Sequence, residues 1–363
     1  MRESKNDQKK VLMVSSYIGK NTYVKNLVDA LKSECFVATG IESFWCSNIP
    51  FDIVHIHYPE ELFYWDSNYG EEGLHSLEKR IEYWKKLGSK IVVTIHDERA
   101  HRGKKDDKKL FKLIYENADG MIHLGRFSYE NLGLSNGVSD VLPHHLYQDL
   151  IELKIDNPKS SPNKGETVFL SIGAIRKQAE RSFLLNSFYL FRKNNKKSKL
   201  LICNFKLPSE SIGFKSDPLR KIWYELAFRF KKFFFLWRNV YLLDHDISKE
   251  QMKGLVSQSD ILITPRVDSL NSGIIFLALS LNKPVIGPSI GNMTEILDEL
   301  GCPTYVPGDE NTFVKALSFF LNEENVVTCA ERYQRFVAIC DVGVVAKKHV
   351  QFYESVINKK RIQ

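Results

Sequence analysis

The sequence predicts an α/β protein built from two doubly wound domains that face each other across a cleft. Three observations lead there. The chain has 363 residues, more than one hydrophobic core usually spans. Short apolar runs alternate with stretches of helical spacing, the pattern of parallel βαβ units. The alternation lapses once, over the polar stretch IELKIDNPKSSPNKGE (151–166) with its two prolines, and then restarts. Ligands bind such sheets outside the carboxyl ends of the strands. A site between the halves is therefore the first expectation.

The elements follow in order. KKVLMVSS (9–16) is a strand, and after Gly19 the run YVKNLVDALKS is a helix that Asn21 or Thr22 can cap. FDIVHIHY (51–58) is a buried strand whose period of two puts His55 and His57 on one face. LHSLEKRIEYWKKLG is a helix ended by Gly88; KIVVTIHD (90–97) is a β-branched strand; LFKLIYENAD is a helix and GMIHLG a strand. Past the linker come the strand TVFLSIG, the helix RSFLLNSFYLFRKN, the strands SKLLICNF and NVYLLDHD, the helix KEQMKGLVSQSD and the strand DILITP. The run AKKHVQFYESVINKK near the end is a helix.

Residues 271–297, NSGIIFLALSLNKPVIGPSIGNMTEIL, carry the strongest local signal. Asn271 or Ser272 can cap an all-apolar, hence buried, helix that Asn282 stops. PVIG is a short strand, Pro288, Gly291 and Asn292 form a tight loop, and MTEILDEL opens another helix with Glu295 in its first turn. Two helix N-termini then follow two strand ends. Their unpaired N–H groups and positive dipole ends suit a diphosphate.

Composition narrows the classes. Hydrophobic content is 43% and charged content 26%, ordinary for a folded cytosolic protein. No apolar run is long enough to span a membrane. The start, MRESKNDQKK, does not read as a secretory signal. The six cysteines lack metal-ligand spacing and read as buried thiols in a reducing compartment. A net charge of +7 suits anionic partners, yet no nucleic-acid motif is present. His55-x-His57 has no third ligand at a suitable spacing, so no metal is expected. Glu60 and Glu61 read as surface acids.

The segment TPRVDSLNSGIIFLALSLNKPVIGPSIGNMTEIL resembles the donor-binding segment of GT-B glycosyltransferases of family 4, in its version closest to bacterial capsule and exopolysaccharide transferases. TVFLSIGAIRK (167–177) resembles the family's glycine turn with a basic residue, and KIVVTIHD its strand ending in histidine. VHIHYPE and VLPHHLY resemble segments facing the cleft. The resemblance implies two Rossmann-like domains, an acceptor-side domain over 1–160 and a nucleotide-sugar domain over 161–343. It also implies a final helix, 344–363, that crosses back to the first domain.

It further implies a metal-independent hexosyltransferase, with a UDP- or GDP-linked sugar as co-substrate and no cofactor. The diphosphate and sugar fall to Gly173, Arg176, Lys177, Arg181, Asn271, Ser272, Gly273, Ile274 and Glu295. His96, Asp97 and His101 are the catalytic candidates, one of them the base if the reaction inverts. Gly19, His57 and His144 face the acceptor, a glycan or lipid-linked oligosaccharide. Two positions depart from the family. Ser269 and Leu277 stand where many members carry a Glu pair whose second Glu holds the ribose, and Ala179 stands at a usual lysine.

SDPLRKIWYELAFRFKKFFFLWRN (216–239) mixes basic and aromatic residues, the recipe for an interfacial helix on anionic lipid. The expected location is cytoplasmic, peripheral on the inner face of the cell membrane. Two other functions fit the same residues: a non-catalytic scaffold of the same fold, which the missing Glu pair favours, and a sugar-nucleotide epimerase.

Overall fold

The computed structural model describes residues 8–15, 22–66, 68–97, 105–132, 137–153, 165–173, 175, 177–203, 235–243 and 247–359. Two compact units emerge: residues 1–149 with 337–363, and residues 150–336.

Unit 1 is a six-stranded parallel sheet in the order β2-β1-β3-β4-β5-β6. Its strands are β1 (Lys10–Val14), β2 (Phe36–Thr39), β3 (Ile53–Ile56), β4 (Lys90–Ile95), β5 (Gly120–His123) and β6 (Val138–Val141). The helices between them are α1 (Thr22–Leu31), α2 (Ile41–Cys46), α3 (Gly70–Lys86), α4 (Lys105–Asn117) and α5 (Arg126–Asn131), with α6 (Gln148–Glu152) at the boundary. Strands β3 and β5 are buried at every position, and β4 at all but its first. Helices on both faces require that, and it explains why these strands read as continuous apolar runs. Helix α3 shows the complementary logic. Leu74, Leu77, Ile81 and Trp84 form its buried stripe, Glu71 and Glu72 sit in its first turn, and Lys85 and Lys86 in its last.

Unit 2 repeats the plan with the order β12-β11-β10-β7-β8-β9. Its strands are β7 (Thr167–Ser171), β8 (Ser198–Cys203), β9 (Val240–Leu243), β10 (Ile261–Ile263), β11 (Val285–Pro288) and β12 (Thr304–Tyr305). Its helices are α7 (Gln178–Arg192), α8 (Lys249–Ser257), α9 (Gly273–Ser280), α10 (Gly291–Leu300) and α11 (Glu310–Phe319), and the unit boundary falls within α12 (Glu323–Cys340). The last helix, α13 (Val342–Asn358), starts at an Asp341 cap whose Oδ1 accepts from Gly343 N at 2.9 Å and Val344 N at 3.1 Å. It packs on α1, β4 and β6 of unit 1 and buries Val345, His349, Phe352, Tyr353 and Val356.

Helix α9 shows why burial, not propensity, fixes the site. Eight residues are too few for a helix that stands alone. Ile274 through Leu279 are all buried, and each large apolar side chain so placed stabilises by roughly 1.5–3 kcal/mol. Asn282, at φ 50°, turns the chain away after it.

The structure corrects several expectations. Pro288 ends β11 instead of entering the loop, because Pro288 pairs with Tyr305 on the short strand β12. Helix α10 starts at Gly291, after an extended Ile290, so Glu295 is its fifth residue and lies past the first turn. Cys46 is exposed, while the other five cysteines are buried free thiols. Glu60 and Glu61 are buried, and Glu61 Oε2 accepts from Ser15 Oγ at 2.8 Å. Among the described residues no helix is long and apolar enough to cross a membrane.

Candidate functional site

In unit 2 three strand ends converge. Strands β7, β10 and β11 lie side by side, with Ser171 in register with Ile263, and Ile263 in register with Ile286. The chain leaves β7 through Gly173, whose φ of 96° suits glycine. A Cβ built there would lie 3.4 Å from Ile274 Cδ1, so the glycine turn rests against the first turn of α9. Ser272 caps that helix, its Oγ accepting from Ile274 N at 3.4 Å. The loop after β10 is tied to the start of α10: Asn292 N donates to Leu270 O at 3.0 Å, and Asn292 Nδ2 to Asn271 Oδ1 at 2.9 Å. Gly291, at φ 53°, permits this approach, since a Cβ there would lie 2.7 Å from Leu270 O. Gly173, Asn271, Ser272, Gly273 and Ile274 are thus brought together, with two helix N-termini beside them.

Charge near these loops comes from the expected Lys177 and from Glu180, Arg266 and Asp268, which were not singled out from the sequence. Glu180 on α7 is only 2% exposed and pairs with Arg266 Nη1 at 3.5 Å. It also accepts from Lys177 N at 3.2 Å, as the carboxylate half of a helix-start box. The Arg266 and Thr264 carbonyls are held by the Tyr305 hydroxyl, at 3.0 and 2.7 Å. Lys177 reaches Asp268 in an exposed ion pair. Ser171 Oγ and Thr264 Oγ1 are buried and have no hydrogen-bond partner among the described residues. Lys177-x-x-Glu180 did not mark the carboxylate, because a lysine at the helix start cannot complete a capping box; Arg266 and Thr264 lay inside TPRVD without a signal either.

Arg181 is half-buried on α7, and Glu295 is half-buried on α10. Leu277, at one position of the family's Glu pair, is buried inside α9, and Ser269 Oγ donates to Asn271 O at 2.8 Å. Gly19, Glu98, His101 and Arg176 lie outside the described residues, as do most of 216–239. Of that segment's end, Trp237 is 74% exposed and the Arg238 guanidinium lies 4.9 Å from the centre of the Tyr189 ring.

In unit 1 the strand ends carry histidines. His57 and His96 follow β3 and β4, and His57 Nδ1 lies 3.1 Å from His96 Nε2. The His55 ring is 4.3 Å from that of His57; its nitrogens meet Thr94 Oγ1 and the Tyr353 hydroxyl, both at 2.8 Å. His144 and His145 follow β6. His144 Nδ1 donates to His145 O at 2.6 Å, and the two nitrogens of His145 face the carbonyls of Leu146 (2.7 Å) and Tyr23 (2.9 Å). His349 Nδ1 donates to Val345 O at 2.8 Å. Burial, reinforced by neighbouring histidines, pushes His55, His57 and His144 well below the ordinary range; burial alone leads for His145, and His349 falls to about 4.

A small pocket opens beside this cluster, lined by His57, Tyr58, Glu60, His96, Asp97 and Tyr115 among others. His96 and Asp97 are half-buried there, while His57 is fully buried and His144 nearly so. A carboxylate, a histidine and aromatic faces at one strand end can grip a polyhydroxylated ligand through hydrogen bonds and stacking. Among the described residues no group of three or more His, Cys, Asp or Glu is arranged to hold a metal ion.

The whole chain matches solved structures of one architecture. Sucrose-phosphate synthase from Thermosynechococcus elongatus aligns at 14% identity and a TM-score of 0.64, over 96% of this chain and 99% of that one. The fold is GT-B. A UDP-forming α,α-trehalose-phosphate synthase from Burkholderia xenovorans aligns to this GT-B chain at 12% identity and a TM-score of 0.62, covering 97% and 100%. HepE from Anabaena, solved with UDP-glucose, aligns at 12% and 0.62, covering 95% and 99%. No protein-family model and no curated protein sequence matches the chain.

Proposed function

We propose that this GT-B protein is a glycosyltransferase that moves a sugar from a UDP-linked donor to a hydroxyl of a glycan or lipid-linked acceptor. Unit 2 binds the donor and unit 1 the acceptor. One observation carries the reading: the Gly173 turn and the Ser272-capped start of α9 meet at the carboxyl ends of β7 and β10. Such a cradle offers backbone N–H groups and a helix dipole to a diphosphate. Similar structures have been solved with UDP, UDP-glucose and UDP-2-fluoro glucose, which supports UDP as the carrier.

In the transfer the bond from the anomeric carbon to the phosphate oxygen breaks, and a bond to the acceptor oxygen forms. The acceptor hydroxyl gives up its proton to a base, or to the departing phosphate. The cradle stabilises charge on the leaving UDP. On this reading Arg176, Lys177 and Arg181 supply the positive charge that the diphosphate needs, with no metal required. Asp97 and His101 are the base candidates, and His96 holds a sugar hydroxyl. Gly19, His57 and His144 belong to the acceptor side, His57 and His144 through the buried cluster behind it. The acceptor is surface polysaccharide, and residues 216–239 bring the protein to the inner face of the membrane; absence of binding to anionic vesicles at low salt would remove that part alone.

The test is UDP release from a panel of UDP-sugars, with Gly173→Val as the control that fills the turn. Release by the native protein, cut at least tenfold in the variant, is the expected result. A second reading, a scaffold without turnover, is favoured by Leu277, which places an apolar side chain where the family holds the ribose. Neither turnover nor nucleotide binding would establish it.

A further inference from the structure

His57 and His96 share a single hydrogen bond, and its direction decides what His96 can do. His57 is fully buried, its Nδ1 is 3.1 Å from His96 Nε2, and its Nε2 has no hydrogen-bond partner among the described residues. Only two neutral arrangements exist. In the first, His96 Nε2–H donates, and His57 must keep its own proton on Nε2, where a buried N–H has nothing to meet. In the second, His57 Nδ1–H donates, and His57 Nε2 is left as a bare lone pair. Among buried backbone groups an orphaned N–H is rarer than an under-satisfied acceptor, and the same asymmetry favours the second arrangement. The cluster already holds one such acceptor: His349 spends its Nδ1–H on Val345 O, so its buried Nε2 is also a bare lone pair.

We infer that His57 is a positioning residue that donates to His96 Nε2 and so fixes His96 in the tautomer protonated at Nδ1. The ring geometry holds the pair in place. Tyr58 stacks on His96 at 4.4 Å between centroids, and Tyr23 meets its edge at 5.1 Å. His55, Tyr23 and Tyr58 surround the His57 ring. His55, His96, His349 and His145 are the titratable groups that bear on its charge, and with burial they keep it neutral. No carboxylate is among them, so nothing there favours an imidazolium.

The consequence is specific. With Nε2 committed as an acceptor, the other nitrogen of His96 is an N–H donor. His96, which lines the pocket, then has its Nε2 lone pair occupied by His57 and is not the base that deprotonates the acceptor. This consequence rests on the glycosyl-transfer reading; the tautomer itself does not.

The experiment measures the ring nitrogens of ¹⁵N-histidine-labelled full-length protein near neutral pH, without ligand, assigning His96 by the signals lost in His96→Gln. The expected result is a pyrrole-type Nδ1 and a pyridine-type Nε2 on His96. His57→Asn, whose amide can donate from the Nδ1 position, should keep that pattern. His57→Leu should shift both His96 nitrogens toward averaged values. A pyrrole-type Nε2 on His96 in the native protein overturns the inference, and so does a folded His57→Leu that leaves the His96 pattern unchanged. If His57→Leu does not fold, the native spectrum still decides. Because no ligand is present, loss of the transferase reading would leave this result standing.

Discussion

Glu180 and Arg266 bring the energetic question of the donor side down to two residues. A buried charge left without its partner costs about 3–5 kcal/mol, whereas replacing both partners with apolar groups is often neutral. Arg266→Met should therefore destabilise unit 2 by about that much in urea unfolding, and adding Glu180→Leu should recover most of the loss. Equal destabilisation by the single and double variants would mean the pair does not act as a pair. Gly291→Ala makes a different demand. The left-handed backbone costs an L residue about 1–2 kcal/mol, and the new Cβ meets Leu270 O at 2.7 Å. The variant should lose at least that much stability and weaken nucleotide binding. At this scale the sequence was only partly legible. Gly173, Ser272 and Gly273 stand out because caps and tight turns restrict residue choice. Glu180 did not, because an acid near a helix start is expected whether or not it is buried. Full burial of His57 was equally hidden, since period two tells the face of a strand and not what covers that face.

Helices α9 and α13 carry the element-scale argument. Ser272→Ala removes the cap of α9 and should cost about 1 kcal/mol, with weaker UDP binding measured by calorimetry. Unchanged UDP affinity in that variant would separate the cap from the ligand. On α13, Tyr353→Phe removes the hydroxyl that meets His55 Nδ1 at 2.8 Å. A buried polar atom deprived of its partner costs about 1–3 kcal/mol, so unit 1 should unfold at lower denaturant. The central strands were readable because burial on both faces leaves long apolar runs. The short strands β2 and β12 were not. The edge strand β2 has no fully buried position, and β12 has only two residues. Helix α10 began two residues earlier than the sequence suggested: Gly291 and Asn292, read as loop, form its first two residues, and Asn292 bonds to Asn271 from there.

At the scale of the whole molecule, titration should distinguish the two units. Every histidine among the described residues belongs to unit 1. His55, His57, His144, His145 and His349 are all held below the ordinary value of 6.5 by burial. A depressed histidine leaves the unfolded chain holding more protons than the folded one, so stability rises with pH. Above about pH 6.5 both states are neutral and the effect vanishes. Below it, stability falls by up to about 1.4 kcal/mol per pH unit for each histidine. For His349 the fall continues to about pH 4. Calorimetry should show unit 1 melting progressively earlier as pH drops below 6.5; a melting temperature that stays flat down to pH 5 would contradict the buried-neutral cluster. The two-domain α/β plan was legible at this scale because the alternation of strand and helix lapses once and restarts. The most direct test of the central claim is hydrogen exchange of the native protein with and without UDP. Protection should appear in residues 171–177 and 264–275 of unit 2. Saturating UDP that protects neither segment, or protects only unit 1, would contradict it.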